Sequence, residues 1–320
     1  IQYLSLDKII VNKYKFFFEY ILSNLNKLGV SKTIIQHIGK SDSDTKLIVS
    51  FSDGLSLSLG TLRNRKIKTL GCFHRLSELE NQSNIFINFW SHQLIKNSLN
   101  RLDHIAFFGS ADREYAISKY KINKEKTSII LFGVDTNFWK LSKVSSDEYF
   151  FSIGQDPSRD FDTLVNTKKK YKLKIHTDLR INYDRENIVF SKGNFYKNGL
   201  TDLELRKLYQ KSIAVIIPLK DVYQPSGYSV ALQAMSCGKT VIITKNKGFW
   251  APDIFKNYIN CIFVRPRNIN DLNKAMQYVH DYPEKRKTIG LCARLTVKKY
   301  FDAISSKNSL KEIIEKTLIN

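Results

Sequence analysis

Apolar positions along the chain fall into two alternating patterns: short continuous runs, and longer stretches in which they recur every three to four residues. Runs of the first kind suit strands buried on both faces and stretches of the second suit amphipathic helices, so their alternation predicts a parallel α/β sheet. Ile1–Leu6 reads as a strand. In Tyr14–Leu28, Phe16, Phe17, Tyr20, Ile21, Leu25 and Leu28 recur at helical spacing. Strands at Thr33–Ile38 and Lys46–Phe51 follow, then a helix over Gly54–Leu62 with Asp53 placed to cap its N-terminus. A strand at Ile67–Phe73, a helix around Ile87–Leu99, a strand at His104–Phe108, a helix at Ala111–Tyr120 and a strand at Thr127–Leu131 complete a first set.

Leu141–Asp147 is polar, serine-rich and without period, and reads as a linker. The alternation then restarts. Strands are expected at Glu148–Ile153, Leu173–His176, Asn187–Phe190, Ile213–Pro218, Thr240–Thr244 and Asn260–Val264. Helices are expected at Phe161–Lys170, Leu203–Lys211 and Tyr228–Ser236, and from Ile269 onward the chain is nearly all helix. Two Rossmann-like halves of this kind place ligands at the carboxyl ends of their strands, with a cleft between them. No internal repeat and no low-complexity tract interrupts the pattern.

Composition narrows the class. At 320 residues with 42% hydrophobic and 12% aromatic side chains, the chain has the makings of a core, which excludes disordered and small disulfide-stapled classes. No run approaches the length of a membrane span, and no export signal is visible. The start at Ile1 rather than Met points to residues preceding it. Cys72, Cys237, Cys261 and Cys292 are far apart and form no C-x-x-C pair, as expected of free buried thiols in a reducing cytoplasm. The six histidines show no paired ligand spacing, so no metal is expected.

The net charge of +21 suggests an anionic partner. It is spread over both halves, however, and lysine supplies most of it. Lys168–Lys170 reads as a solvated helix end rather than a binding stripe. The aromatic and arginine stacking motifs of nucleic-acid binders are missing, which argues against nucleic acid as the partner.

The stretch that carries chemistry is Gln224–Gly238, Q-P-S-G-Y-S-V-A-L-Q-A-M-S-C-G. An apolar strand ending at Pro218 runs through Pro225-Ser226-Gly227 into a helix, and such a helix N-terminus, with outward N–H groups and a favourable dipole, attracts phosphate. Gly227 permits close backbone approach, and Ser226 and Ser229 add hydroxyls. Local physics equally allows an ordinary helix start with Ser226 as the cap.

This stretch, continuing into Lys239-Thr240-Val241-Ile242, resembles the donor-site helix of glycosyltransferases with the two-domain GT-B fold. It is nearest to the retaining family four, whose common form reads G-F-G-L-x-x-x-E-A-M-A-C-G-x-P-V. Two other stretches agree in order and spacing. Phe132–Phe138, F-G-V-D-T-N-F, resembles the N-G-V-D-x-x-x-F turn that closes the family's first domain. Ile153–Leu164 resembles the V-G-R-…-K-G-x-x-x-L segment that opens its second. The N-terminal half is similar in layout alone.

The resemblance implies an α/β fold of GT-B type, with residues 1–140 as the acceptor domain and 141–300 as the nucleotide-sugar donor domain. Residues 301–320 would form a helix, Leu310–Leu318 at its centre, packing back across the domains. It implies a hexosyltransferase that retains anomeric configuration and needs no metal and no cofactor beyond its nucleotide-diphosphate sugar. Domain closure would exclude water.

Arg159 takes the place of the lysine that grips the diphosphate, for which a guanidinium is suited. The Ser226-Gly227-Tyr228-Ser229 turn would cradle the same group, and Gln233 falls where the family has the glutamate that binds the ribose. His74, in Cys72-Phe73-His74-Arg75, matches a histidine of the acceptor-facing cleft; read locally, it is a satisfied strand-end histidine.

The chain also departs from the family. Its pair of glutamates is replaced by two amides, Gln224 and Gln233, one residue further apart. Gln155 stands where an arginine is usual, with Lys220 and Lys247 as candidate substitutes, and the loop Asp7–Val11 lacks the usual glycines.

The acceptor is expected to be a glycan or a lipid-linked sugar at the inner membrane face, where a basic surface meets anionic lipid. Tyr14–Leu28 reads either as a core helix or as a membrane-touching one. A GT-B homologue without activity, a nucleotide-sugar epimerase or hydrolase of the same fold, and a basic protein that binds nucleic acid or anionic membrane are the alternatives.

Overall fold

The computed structural model describes residues 45–61, 67–79, 85–142, 149–168, 170–184, 186–193 and 199–319, with side chains excluded at 85–90. The elements expected at Ile1–Leu6, Tyr14–Leu28 and Thr33–Ile38, the loop Asp7–Val11 and most of the linker Leu141–Asp147 lie outside them.

The chain divides into two units. One holds the described residues up to Ala106, Ala116–Ser128 and the chain end from Ile314; the other holds Phe107–Tyr115 and Ile129–Ile313.

The first unit is built on a four-stranded sheet of order β1-β2-β3-β4, with β1 at Leu47–Ser50, β2 at Lys68–Phe73, β3 at His104–Phe107 and β4 at Thr127–Ile129. Helices α1 (Asp53–Leu59), α2 (Ile85–Arg101) and α3 (Ser110–Tyr120) alternate with the strands. The start of α1 differs from expectation. Ser52 occupies the N-cap position, and the Asp53 carboxylate instead accepts hydrogen bonds from the N–H groups of His74 and Arg75 at 2.9 and 3.0 Å. A loop that would otherwise lack partners competes successfully for that carboxylate.

The second unit carries six strands in the order β10-β9-β8-β5-β6-β7, all parallel. They are β5 (Tyr149–Ile153), β6 (Leu173–His176), β7 (Ile188–Ser191), β8 (Ser212–Ile217), β9 (Val241–Thr244) and β10 (Ile262–Val264). Central β8 is buried on both faces, which explains the apolar run I-A-V-I-I that follows its first residue, Ser212. Val215 and Ile217 face one core with Tyr209, Met235, Val297 and Phe301. Ala214 and Ile216 face the other with Leu164, Leu272 and Met276.

Five helices cover these faces: α4 (Phe161–Val165), α5 (Asp202–Lys211), α6 (Tyr228–Ser236), α7 (Ile269–Asp281) and α8 (Pro283–Tyr300); α9 (Ala303–Ile319) follows them in the chain. Helix α4 stops five residues short of the expected Lys170. The side chains of Asn166 and Thr167 bond the carbonyls of Asp162 and Leu164, each at 2.8 Å, and so close its last turn. Helix α9 falls within the helix expected at residues 301–320.

Candidate functional site

Two loops at the carboxyl ends of the central strands β5 and β8 are joined to each other. Arg159 bridges Leu219 in antiparallel sense, Asp160 N donates to Pro218 O at 3.0 Å, and Lys220 N donates to Ser158 O at 2.8 Å. The sequence dictates this locally: Asp156-Pro157 turns the chain after β5, and Asp160 caps α4 by accepting from Thr163 N. Arg159 is thereby carried inward and left only 6% exposed.

Two of its three guanidinium nitrogens are left without partners. The Nε and Nη1 of Arg159 have no hydrogen-bond partner, and no carboxylate forms an ion pair with it among the described residues. Burial pushes its pKa down to about 10, with the Asp156 charge opposing part of that shift, so the guanidinium keeps its charge at neutral pH. A buried, unpaired cation is costly, and a bound anion is the chemistry that would offset that cost.

Two glycines fit around that guanidinium. A Cβ on Gly154 would overlap Arg159 Nε, and one on Gly227 would lie 2.6 Å from Ile217 Cγ2 and 3.0 Å from Arg159 Nη1. Gly227 also has φ +79°, a left-handed conformation that other residues adopt only with strain. It occupies the N-cap position of α6 with no side-chain cap, so Ser226 is not the cap that local physics allowed. Ala231 N donates to Gly227 O at 2.9 Å, so the hydrogen-bond ladder of the helix begins at that glycine.

The remaining residues singled out in the sequence have defined places. Gln224 is 3% exposed; its Nε2 donates to Asp156 Oδ2 at 2.8 Å, and its Oε1 is buried without a partner. Ser226 Oγ donates to the same Asp156 Oδ2 at 3.4 Å. Gln155 donates from Nε2 to Gly193 O at 3.0 Å, tying the β5 loop to the one after β7.

Gln233 accepts from Tyr209 Oη at 3.2 Å. The ring of Tyr228 packs against Phe132 and Trp250, at centroid distances of 4.8 and 6.3 Å. Ser229 is half-buried on the first turn of α6. Lys220 donates from Nζ to Pro157 O, and Lys247 pairs with Asp221 at 3.3 Å, so each lysine already has a partner in a neighbouring loop.

His74 belongs to the first unit. Its ring Nε2 lies 3.2 Å from Phe51 O, and burial lowers its pKa against the opposing pull of Asp53 and that carbonyl, which keeps it neutral. Among the described residues no three His, Cys, Asp or Glu side chains converge as a metal site requires.

Sequence reasoning gave no role to Asp156, Ser158 or Tyr209. Asp156 was visible as the turn residue before Pro157, but its contact with Gln224 spans 68 positions. Tyr209 lies on the apolar face of α5 and reads there as core.

Residues 186–295 match the protein-family profile described as glycosyl transferases group 1. The matched stretch runs from β7 to α8 and includes the Gln224–Gly238 segment. No curated protein sequence matches the chain.

Several solved structures share the fold. Alr3699/HepE of Anabaena in complex with UDP has a TM-score of 0.71 at 16% identity, covering 88% of this chain and 81% of its own. Sucrose-phosphate synthase (tll1590) of Thermosynechococcus elongatus has a TM-score of 0.71 at 16% identity, covering 91% and 78%. A glycosyltransferase of Rickettsia africae ESF-5 has a TM-score of 0.67 at 16% identity, covering 98% and 85%. The fold is therefore GT-B, its second unit carries a group 1 glycosyltransferase domain, and the chain is of glycosyltransferase class.

Proposed function

We propose that the protein transfers a sugar from a nucleoside-diphosphate sugar to an acceptor hydroxyl, with retention of configuration as in family four and without a metal ion. The observation that carries this reading is Arg159: buried, charged, unpaired at Nε and Nη1, and held between Gly154 and Gly227. Its two free donors suit a diphosphate oxygen, and the uncapped start of α6 offers further N–H groups to the same anion.

As the bond from the anomeric carbon to the diphosphate breaks, negative charge grows on the leaving oxygen. A fixed guanidinium and oriented N–H groups stabilise that charge with little reorganisation, as a metal would elsewhere. Gln233 is assigned to the ribose and His74 to the acceptor side. UDP is the first donor base to test, since structures that share the fold were solved with UDP and with UDP-glucose.

The acceptor is assigned as a glycan or lipid-linked sugar. A net charge of +21 favours work beside an anionic membrane face, and no described helix is long and apolar enough to cross one.

The test is a thermal-shift series of the wild type and Arg159→Ala against UDP, GDP, ADP and CMP, with and without EDTA. One nucleoside diphosphate should raise the melting temperature of the wild type, equally with and without EDTA, and should leave Arg159→Ala unmoved. An equal shift in both proteins would remove Arg159 from the site, and a shift abolished by EDTA would overturn the metal-free reading.

A further inference from the structure

Four buried polar atoms of the two joined loops lack partners: Arg159 Nε, Arg159 Nη1, Ser158 Oγ and Gln224 Oε1. An anion can satisfy three of them, because the guanidinium nitrogens and the serine hydroxyl all donate. It cannot satisfy the fourth. The amide oxygen of Gln224 only accepts, and a phosphate oxygen facing it would repel it. A ligand that answers all four needs a hydrogen-bond donor close to its negative charge.

The orientation of that amide follows from its neighbour. Asp156 Oδ1 accepts from Ser158 N at 2.8 Å, and Oδ2 accepts from Gln224 Nε2 at 2.8 Å and from Ser226 Oγ at 3.4 Å. A carboxylate oxygen has no proton to offer, so it takes the NH₂ end of the Gln224 amide and turns the carbonyl end away. A glutamate at position 224 would set two carboxylates in contact. The amide at 224 and the carboxylate at 156 therefore form one unit, and each requires the other.

Resting on the donor reading above, we propose that Asp156 is a positioning residue. It locks Gln224 so that Oε1 meets the bound donor and accepts a hydrogen bond from a hydroxyl of the sugar next to the diphosphate. The amide thus contributes to selecting a sugar nucleotide over the bare nucleoside diphosphate.

The test is a double-mutant cycle on the full chain, reading affinity by calorimetry for UDP-glucose, GDP-mannose and ADP-glucose, each beside its own nucleoside diphosphate. In Asp156→Asn, the oxygen stays on Ser158 N and the new NH₂ faces residue 224, reversing the amide there. In Gln224→Glu, two carboxylates oppose each other. Each single variant should bind the sugar nucleotide three- to tenfold more weakly, the range of one neutral hydrogen bond, with a smaller loss for the nucleoside diphosphate. In the double variant the amide now at position 156 can donate to the carboxylate now at position 224. The second oxygen of that carboxylate again faces the ligand, and affinity should return to within about threefold of wild type.

Additive losses in the double variant would overturn the proposal, because a merely structural role has no reason to be rescued by exchanging amide and carboxylate. Equal losses for sugar nucleotide and nucleoside diphosphate would also overturn it, since the hydroxyl contact would then be absent. If the wild type binds none of the three pairs, the donor reading itself fails and takes this inference with it.

Discussion

At residue 159 the protein keeps a charge in its interior with two donor nitrogens unpartnered and no ion pair among the described residues. Under the proposed donor role such an arrangement trades stability for binding, and the two effects separate by mutation. Arg159→Met keeps most of the volume and removes the buried charge. The ligand-free protein should be as stable as wild type or more stable, since the desolvation cost disappears. Affinity for the nucleoside diphosphate should fall ten- to a hundredfold, as expected for one charge-assisted hydrogen bond. Urea unfolding without ligand, with nucleotide titration alongside, measures both, and a destabilised variant with normal affinity would mean that Arg159 is a structural residue.

Gly227 makes a second case. Ala at φ +79°, with its Cβ 2.6 Å from Ile217 Cγ2, should lower stability by about 1–3 kcal/mol and also displace Arg159. Chemical unfolding gives the first quantity and nucleotide titration the second. A reader of the sequence can find both residues, because the strand, turn and helix pattern around them is local. Asp156 and Ser158 are different: their meaning lies in contacts with residues 60 or more positions away, which no local pattern reports.

Single elements are stabilised by their own ends. Helix α5 begins with a capping box, in which Thr201 Oγ1 accepts from Glu204 N and the Glu204 carboxylate accepts from Thr201 N at 2.8 Å. Thr201→Ala should cost about 0.5–2 kcal/mol, read from the urea midpoint, while leaving nucleotide affinity within error, because the substitution leaves the Tyr209 contact of α5 with Gln233 in place.

The first unit has a pH-sensitive strand end. His104 in β3 lies 2.8 Å by Nε2 from Ser128 Oγ, and burial, with Lys316 and Lys126 nearby, pushes its pKa down to about 4 from 6.5. The unfolded chain takes up this proton near pH 6.5 and the folded chain near 4. The contribution of His104 is therefore fully present above 6.5 and is lost as pH falls through that window. His104→Gln keeps a hydrogen-bonding group and should show a smaller loss of stability between pH 7 and 4.5, read from urea midpoints at the two values.

Elements were well legible where the pattern was long or strictly apolar. Helix α6 falls at Tyr228–Ser236 and β6 at Leu173–His176 as read, and β8 lies within one residue at either end. Errors fell at ends decided by side-chain hydrogen bonds, as at Asn166 and Thr167 after α4 and at Asp53 before α1.

For the molecule as a whole, a donor bound to one unit should stabilise the two units unequally. A nucleoside diphosphate bound to the second unit at a hundred times its Kd should add about 2.7 kcal/mol to that unit. Hydrogen exchange should show the gain in β5, β8 and α6 and leave the amides of β1 and β2 unchanged. Protection spread evenly over both units would place the ligand elsewhere.

The alternation of buried strands and amphipathic helices was sufficient for the α/β class and for two successive sheets, because burial on one face or two imposes its period on the sequence directly. The order of strands in each sheet and the meeting of the β5 and β8 loops were decided only in three dimensions. So were the unpaired state of Arg159 and the direction of the Gln224 amide. Each depends on which distant groups come within hydrogen-bonding distance. That proximity is a product of packing, and the same residues in the same order would be silent about it without the fold.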